Sequence, residues 1–420
     1  TDTVASAAAI ITSRRVHQYR VQDRKPVFGK RDASIQSVGV HPRRGDTALR
    51  ENFMRENSFR LAIMPGDGIG VEVMEAATAV LEVIEKRHDI GFKMERVNGG
   101  ARQYQETGVA MTEEGFEAAE RADAILFGAM GSPDIRHPDG TEPAPQLDMR
   151  FRMKLYAGLR PIRAIPGVPL ALASPRASEI DFALVRESTE GLFASRGKGI
   201  VTDDKVATDT MRITRDVTER VSHFSFKLAE RRARRRKRKG TVTLIDKSNV
   251  FRSFAFMRKI FFEVASQHPD VTAAQHSIDA TALDLIRRPW DFDVMVTENM
   301  FGDILSDLGA GLVGGMGFAP SADIGDDHAL FQPCHGTAPD IAGQGIANPV
   351  AMILSPAMML DWLGTRHGSE ACLEASDEIE AAVDAAFAAG SVRPYDIGGS
   401  DGTGAIARAI IERLAPRARV

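Results

Sequence analysis

The chain has 420 residues, 43 % hydrophobic and 26 % charged, the composition of an ordinary soluble globular protein with room for about two or three domains. A net charge of −4 argues against a dedicated nucleic-acid binder, and two cysteines, Cys334 and Cys372, cannot form a disulfide framework. That cysteine usage points to a reducing compartment, the cytoplasm, and no run reaches the roughly 18 apolar residues of a membrane span.

Residues 1–57 are polar, basic and weakly periodic, which predicts a mostly disordered extension. Its start, "ASAAAIITSRRVHQYR", is rich in Ala and Arg like a targeting peptide, which keeps mitochondrial import as an alternative; another expectation is a globular protein beginning near Met54. The globular pattern opens with "FRLAIMPGDGIG". Leu61 to Met64 read as a strand, Gly66 to Gly70 as a tight turn, and Met74, Ala77, Leu81 and Ile84 as one helix face. Further strands are expected at "DAILFGA", "DFALV", "TVTLID" and "FDVMVT", separated by helical patterns. That alternation predicts an α/β architecture with a largely parallel sheet.

The basic run "RRARRRKRKG" ends a helical pattern, where cations complement the helix dipole, so it reads as a solvated helix end stopped by Gly240 rather than a nucleic-acid site. The run "NPVAMILSPAMMLDWLG" reads as a buried helix kinked at Pro356. Gly309, Gly311 and Gly314 match G-x-G-x-x-G, but a helix precedes them, so the dinucleotide fingerprint of a Rossmann fold is rejected.

Several residue types point to chemistry. Asp303 and Asp307 stand four apart in "ENMFGDILSDLGAG", on one helix face, where a hard cation such as Mg²⁺ or Mn²⁺ would relieve their repulsion. Arg150, Arg160 and Arg186 follow apolar segments, and three guanidiniums in one half of the chain suit a multiply charged acid. Lys247 leaves the strand "TVTLID", where ligands of α/β folds bind. Residues 331–349, "FQPCHGTAPDIAGQGIANP", form a long Gly/Pro-punctuated loop whose amides suit a phosphate and whose Asp340 suits ribose hydroxyls. Cys334, beside His335, reads as a small buried thiol.

In order, "GDGIGVEV", "YAGLRP", "VRESTEG", "DKSNV", "NMFGDILSDL" and "HGTAPDIAGQGIANP" make the chain resemble the β-decarboxylating dehydrogenases, which include isopropylmalate, isocitrate, homoisocitrate and tartrate/D-malate dehydrogenases. The resemblance covers residues 58–418. It implies an isopropylmalate dehydrogenase-like two-domain α/β fold, with a large domain from 58–155 plus 314–420 and a central, dimerising domain from 156–313. It implies a homodimer acting on a small hydroxy di- or tricarboxylate; charge and hydropathy already argue against a nucleic-acid or membrane partner. Arg150, Arg160 and Arg186 match the arginines that clasp substrate carboxylates, and Gln146 and Asn249 match neighbouring contacts. Lys247 matches the catalytic lysine, aided by Asp279 of "HSIDATAL". Asp279, Asp303 and Asp307 match the metal ligands, Asp279 coming from the partner subunit. His335, Gly336, Thr337, Ala338, Pro339, Asp340 and Asn348 match the adenosine-binding loop, with Asp340 at the acidic position that selects NAD.

The match has departures. Phe193 stands where the family's proton-supplying tyrosine is usual, and a phenyl ring has no donor. Hydride transfer would survive while turnover through the enolate slows. A catalytically impaired binding or regulatory paralogue is therefore the alternative reading. Gln146 replaces an apolar residue or an asparagine, which favours a substrate with a polar or small third substituent, such as tartrate, malate or isocitrate, over isopropylmalate. Gln332 replaces a glutamate usual near the nicotinamide ribose.

Overall fold

The computed structural model describes residues 58–138 and 140–414, so the expectations for residues 1–57 lie outside the described residues. The strands are β1 (Ser58–Gly66), β2 (Gly91–Arg96), β3 (Ala124–Ala129), β4 (Ala157–Arg163), β5 (Asp181–Glu187), β6 (Ile200–Thr202), β7 (Val206–Thr208), β8 (Thr241–Asp246), β9 (Thr272–Ser277), β10 (Val294–Thr297), β11 (Pro320–Ile324) and β12 (Ala329–Pro333). The helices are α1 (Gly70–His88), α2 (Ala101–Thr107), α3 (Glu113–Arg121), α4 (Pro145–Arg152), α5 (Arg215–Arg236), α6 (Arg252–Ala265), α7 (Ile278–Arg287), α8 (Asn299–Leu312), α9 (Val350–His367), α10 (Glu370–Ala388) and α11 (Thr403–Arg413).

One sheet of ten strands runs in the order β2-β1-β3-β12-β11-β4-β5-β10-β8-β9. Its outer pairings are parallel, and only β11 against β12 and β4, and β4 against β5, are antiparallel. The expected mixed, largely parallel sheet is therefore present. Strands from 58–129 and 320–333 fill one half, and strands from 157–297 the other.

Side chains of a strand alternate between faces, and the core follows that period. Phe59, Leu61 and Ile63 join α1 and α9 in one apolar layer, while Ala62 and Met64 face Met149 and Met153 on the other side. Likewise Ala183 and Val185 enter the first layer, while Phe182 and Leu184 pack with Leu305 and Leu312 of α8. The first face is covered by one continuous cluster. The opposite face carries two separate clusters, one on each half. Between them, on β11, β4 and β5, the residues on that face are Asp323, Gly158, Arg160 and Arg186. The apolar layer is interrupted by charge at the centre of the sheet.

Three local expectations need correction. α5 ends at Lys237, whose φ of 52° is left-handed, rather than at Gly240. Its basic end is solvated in part: Arg234, Arg235, Lys237, Arg238 and Lys239 are exposed, but two of its arginines are not. Arg232 and Arg236 are mostly buried against Asp293, at 2.9 and 3.0 Å, and both also pair with Asp181. Those acids lie more than 50 residues away in sequence, which is why the run alone reads as solvent-facing. The 331–349 loop begins later than expected, because Ala329–Pro333 is β12. Pro356 lies inside α9 as expected. Among the described residues, no helix is long and apolar enough to cross a membrane.

Candidate active site

The cavity at the interrupted layer measures about 190 Å³ and is lined by Gln146, Arg150, Arg160, Arg186, Asp303, Ser306, Asp307, Ser321, Gln332, Cys334, His335 and Gly336, with the end of β3. Arg150 comes from α4, Arg160 from β4, Arg186 from the end of β5, and both aspartates from α8. These arginines are 6 %, 5 % and 3 % exposed, so each guanidinium needs a fixed counter-charge.

Asp323 supplies most of it. Its carboxylate is 1 % exposed and accepts from Arg150 Nε at 2.9 Å, Gln332 Nε2 at 2.9 Å, Arg160 Nη2 at 3.4 Å and Ser188 Oγ at 3.4 Å. Burial works to raise its pKa, but Arg150, Arg160 and Arg186 outweigh burial and hold it below the usual carboxylate range. In the strand register Asp323 stands opposite Gly158, and Gly158 opposite Arg186. A Cβ at Gly158 would lie 2.6 Å from Ser188 Oγ and 3.1 Å from Asp323 Oδ1, so glycine makes room for this row. Asp323 is the residue that sequence reading missed. Its signal was an acid between Ala322 and Ile324, inside an otherwise uncharged strand.

Arg186 donates Nε to Asn299 Oδ1 at 2.9 Å and pairs through Nη1 with Asp303. Its stem crosses α8 at Gly302, where a Cβ would meet Arg186 Cβ at 2.6 Å. Burial, with repulsion from Arg150, pulls its pKa down to about 10, so it is still a cation at neutral pH. Phe193 lies over it, with Arg186 Cζ 5.0 Å from the ring centroid, a cation–π contact. For Arg160, burial opposes the charge, but Asp323 and its neighbours leave the pKa raised.

Asp307 is pushed up by burial and then by Asp303 beside it. Two all-oxygen groups one helical turn apart suit a hard divalent cation. Among the described residues, no three Asp, Glu, His or Cys side chains of this chain converge to complete a site. The third expected ligand, Asp279, lies elsewhere. It begins α7, accepts from Lys247 Nζ at 2.6 Å and from Ser277 Oγ at 2.6 Å, and is held at about 2, chiefly by Lys247. Lys247, Asp279 and exposed Asn249 do not line the arginine cavity. Val250 is exposed beside them.

The 334–349 loop reaches the cavity through Cys334, His335 and Gly336. His335 Nδ1 meets the Gly336 carbonyl at 2.9 Å, Nε2 is buried without a partner, and burial lowers the ring's pKa. The GDG turn docks beneath the loop, with Ile69 N donating to Thr337 O at 2.9 Å. Asp67 of that turn caps α2 through Ala101 N and Arg102 N and also accepts from Gly131 N. Ala338 holds a left-handed φ of 37°, while Pro339 and Asp340 are exposed. Asn348 is used structurally: Oδ1 accepts from Val350 N at the start of α9, and Nδ2 donates to Asp396 at 3.0 Å. Cys334 Sγ faces Pro320 O at 3.8 Å, and burial raises its thiol pKa, which fits an inert core thiol.

The family model described as isocitrate/isopropylmalate dehydrogenase matches residues 60–413. The chain is 39 % identical over 360 residues to a 3-isopropylmalate dehydrogenase of Methanothermobacter thermautotrophicus, covering 85 % of this chain and 99 % of that one. It is 38 % identical over 373 residues to a tartrate dehydrogenase/decarboxylase of Pseudomonas putida, covering 86 % and 99 %. The crystal structure of isocitrate dehydrogenase from Methylococcus capsulatus superposes with a TM-score of 0.73 at 32 % identity, covering 85 % of this chain and 99 % of that one. The chain therefore belongs to the isocitrate/isopropylmalate dehydrogenase family, the β-decarboxylating hydroxyacid dehydrogenases.

Proposed function

We propose that the protein oxidises and decarboxylates a malate-type 2-hydroxy acid, using NAD and Mg²⁺ or Mn²⁺. The observation that carries this reading is the convergence of Arg150, Arg160 and Arg186 with Asp303 and Asp307 in one small cavity beside His335. Three guanidiniums bind carboxylates, and the acidic pair offers oxygen ligands to a cation next to them. When bound, the cation would acidify the 2-hydroxyl and the nicotinamide would accept the C2 hydride. Asp340 is an exposed carboxylate, which accepts from ribose hydroxyls and repels a 2′-phosphate; that supports NAD.

The remaining steps belong to the chain's own residues. In this reading the partner's Lys247, with the partner's Asp279, takes the hydroxyl proton. The arginines hold the carboxylates while the new ketone, β to one of them, accepts the electron pair released with CO₂. A proton must then reach carbon, and Phe193 has none to give. Gln146 Oε1 is buried in the cavity without a donor, which supports a substrate bearing a hydroxyl or another polar group there over an alkyl group.

We assign residues 58–155 with 314–420 to a large domain and 156–313 to a central one, divided where the far-face apolar layer breaks. The chain acts as a homodimer in this reading. Lys247 and Asp279 bond each other away from the cavity, so if Asp279 of the partner subunit completes the cation site, the partner's Lys247 arrives with it. Exposed apolar residues near this pair, Val250, Phe251, Leu283 and Ile286, support a buried interface. A monomer at micromolar concentration in light scattering would contradict it.

The test is a panel of 2-hydroxy acids with NAD⁺ or NADP⁺ and Mn²⁺, following reduced cofactor and CO₂ separately. Reduction of NAD⁺ by a malate-type acid is expected. No reduction with any acid sinks the dehydrogenase reading, and faster NADP⁺ reduction sinks the NAD assignment.

A further inference from the structure

The arginine cavity carries its own internal anion. Asp323 receives four donors from the chain, two of them guanidiniums, and is sealed from water. It leaves no oxygen for a ligand, yet its charge stays beneath the arginines. Gln332 fits this arrangement chemically. Its amide donates to Asp323 Oδ2 at 2.9 Å, whereas a glutamate at 332 would bring a second buried carboxylate against the first. The departure at Gln332 and the acid at Asp323 are therefore one feature.

Charge balance gives it a consequence. Suppose Asp303 and Asp307 are balanced by a divalent cation, and the partner's Asp279 by the lysine bonded to it. Arg150, Arg160 and Arg186 then contribute three positive charges and Asp323 one negative. The remainder, +2, is what a dicarboxylate neutralises. A third carboxylate would enter with no cation left for it.

We propose that Asp323, held by Gln332, is a positioning and specificity-determining residue that restricts this cavity to dicarboxylate hydroxy acids and disfavours tricarboxylates. The inference rests on the function proposed above. Asp323 touches the arginines and not the substrate. It fixes the guanidinium of Arg150 through Nε and that of Arg160 through Nη2, while Arg160 Nη1 donates to the Leu159 and Ala322 carbonyls at 3.1 and 3.0 Å.

The test is calorimetric binding of two unreactive acids, succinate and tricarballylate, to the full-length protein with Mn²⁺. Wild type should bind succinate more tightly. A unit charge roughly 8 Å away, through an effective dielectric of about 30, changes affinity about tenfold. Asp323→Asn should shift the ratio about tenfold toward tricarballylate. Gln332→Glu should shift it about tenfold the other way. The double variant Asp323→Asn/Gln332→Glu keeps the charge with donor and acceptor exchanged, and should return to within about threefold of wild type. A purely structural role would weaken both ligands alike in all variants. Tighter tricarballylate binding by wild type, or single-variant ratios within twofold of wild type, would overturn the inference. If Asp323→Asn does not fold, Gln332→Glu decides alone. Because neither acid is oxidised, the result stands apart from the hydroxyacid panel, whose failure would remove the activity and not this ratio.

Discussion

Phe193→Tyr separates the two halves of the proposed reaction. The ring lies 5.0 Å from Arg186 Cζ, and Arg186 is 3 % exposed. A desolvated cation–π contact is worth up to about 2 kcal/mol, or roughly 30-fold in affinity. Tyrosine keeps the ring, so the KM for the hydroxy acid should stay within about threefold. What changes is the donor. A positioned general acid contributes about 10²- to 10⁴-fold to a proton transfer. In wild type the enolate left by CO₂ departure must take its proton from water or another group, so the protonated keto product should lag behind NADH. Phe193→Tyr should bring the two to equal rates. Phe193→Leu, which loses ring and donor, should instead raise KM by about 10-fold or more without closing the gap. The assay is parallel measurement, in a single turnover, of NADH absorbance and of released keto acid trapped as its phenylhydrazone. Equal rates in wild type, unchanged by tyrosine, would show that another residue already delivers the proton and that Phe193 is only packing.

Other perturbations test the surrounding structure. Burial raises the Glu187 carboxyl to about 7 from 4.5, so the unfolded chain loses this proton first as pH rises. Stability from this group is complete below about 4.5 and falls as pH approaches 7, by at most about 3 kcal/mol; in urea titrations Glu187→Gln should flatten that fall, and an unchanged slope would refute the assignment. Asp293→Ala strips a partner from Arg232, Arg236 and Thr241 N and should cost about 3–5 kcal/mol, whereas exposed Arg234→Ala should cost less than about 0.5 kcal/mol by the same titration. Equal, small losses would restore the solvated reading of the basic run. Asp340→Lys should move kcat/KM from NAD⁺ toward NADP⁺ by about tenfold or more in steady-state assays. No shift would place cofactor selection elsewhere.

Much of the fold is legible because its strands and helices are long and periodic. Leu61 to Met64, Ile125 to Ala129, Ala183 to Val185 and Val294 to Thr297 bury both faces, and an apolar run records that. Met74, Ala77, Leu81 and Ile84 repeat at helical spacing and are all buried. The convergence of Arg150, Arg160, Arg186, Asp303 and Asp307 was foreseen through motif resemblance. Asp323 was not, because its meaning depends on β11 pairing with β4 across more than 150 residues of chain. Read locally, "SADIG" is an acid in a short segment. Read in register, it faces the gap left by Gly158 and sits beneath three arginines. The basic end of α5 misleads for the same reason, since Asp181 and Asp293 reach it only through the sheet.

The most direct test of the proposed site is a crystal structure of the protein with Mn²⁺, NAD⁺ and a dicarboxylate inhibitor. The account predicts the metal between Asp303, Asp307 and Asp279 of the partner subunit. It also predicts inhibitor carboxylates on Arg150, Arg160 and Arg186, and the adenosine beside Asp340. A dicarboxylate bound away from the three arginines, or Mn²⁺ absent from Asp303 and Asp307 at saturating concentration, would contradict it.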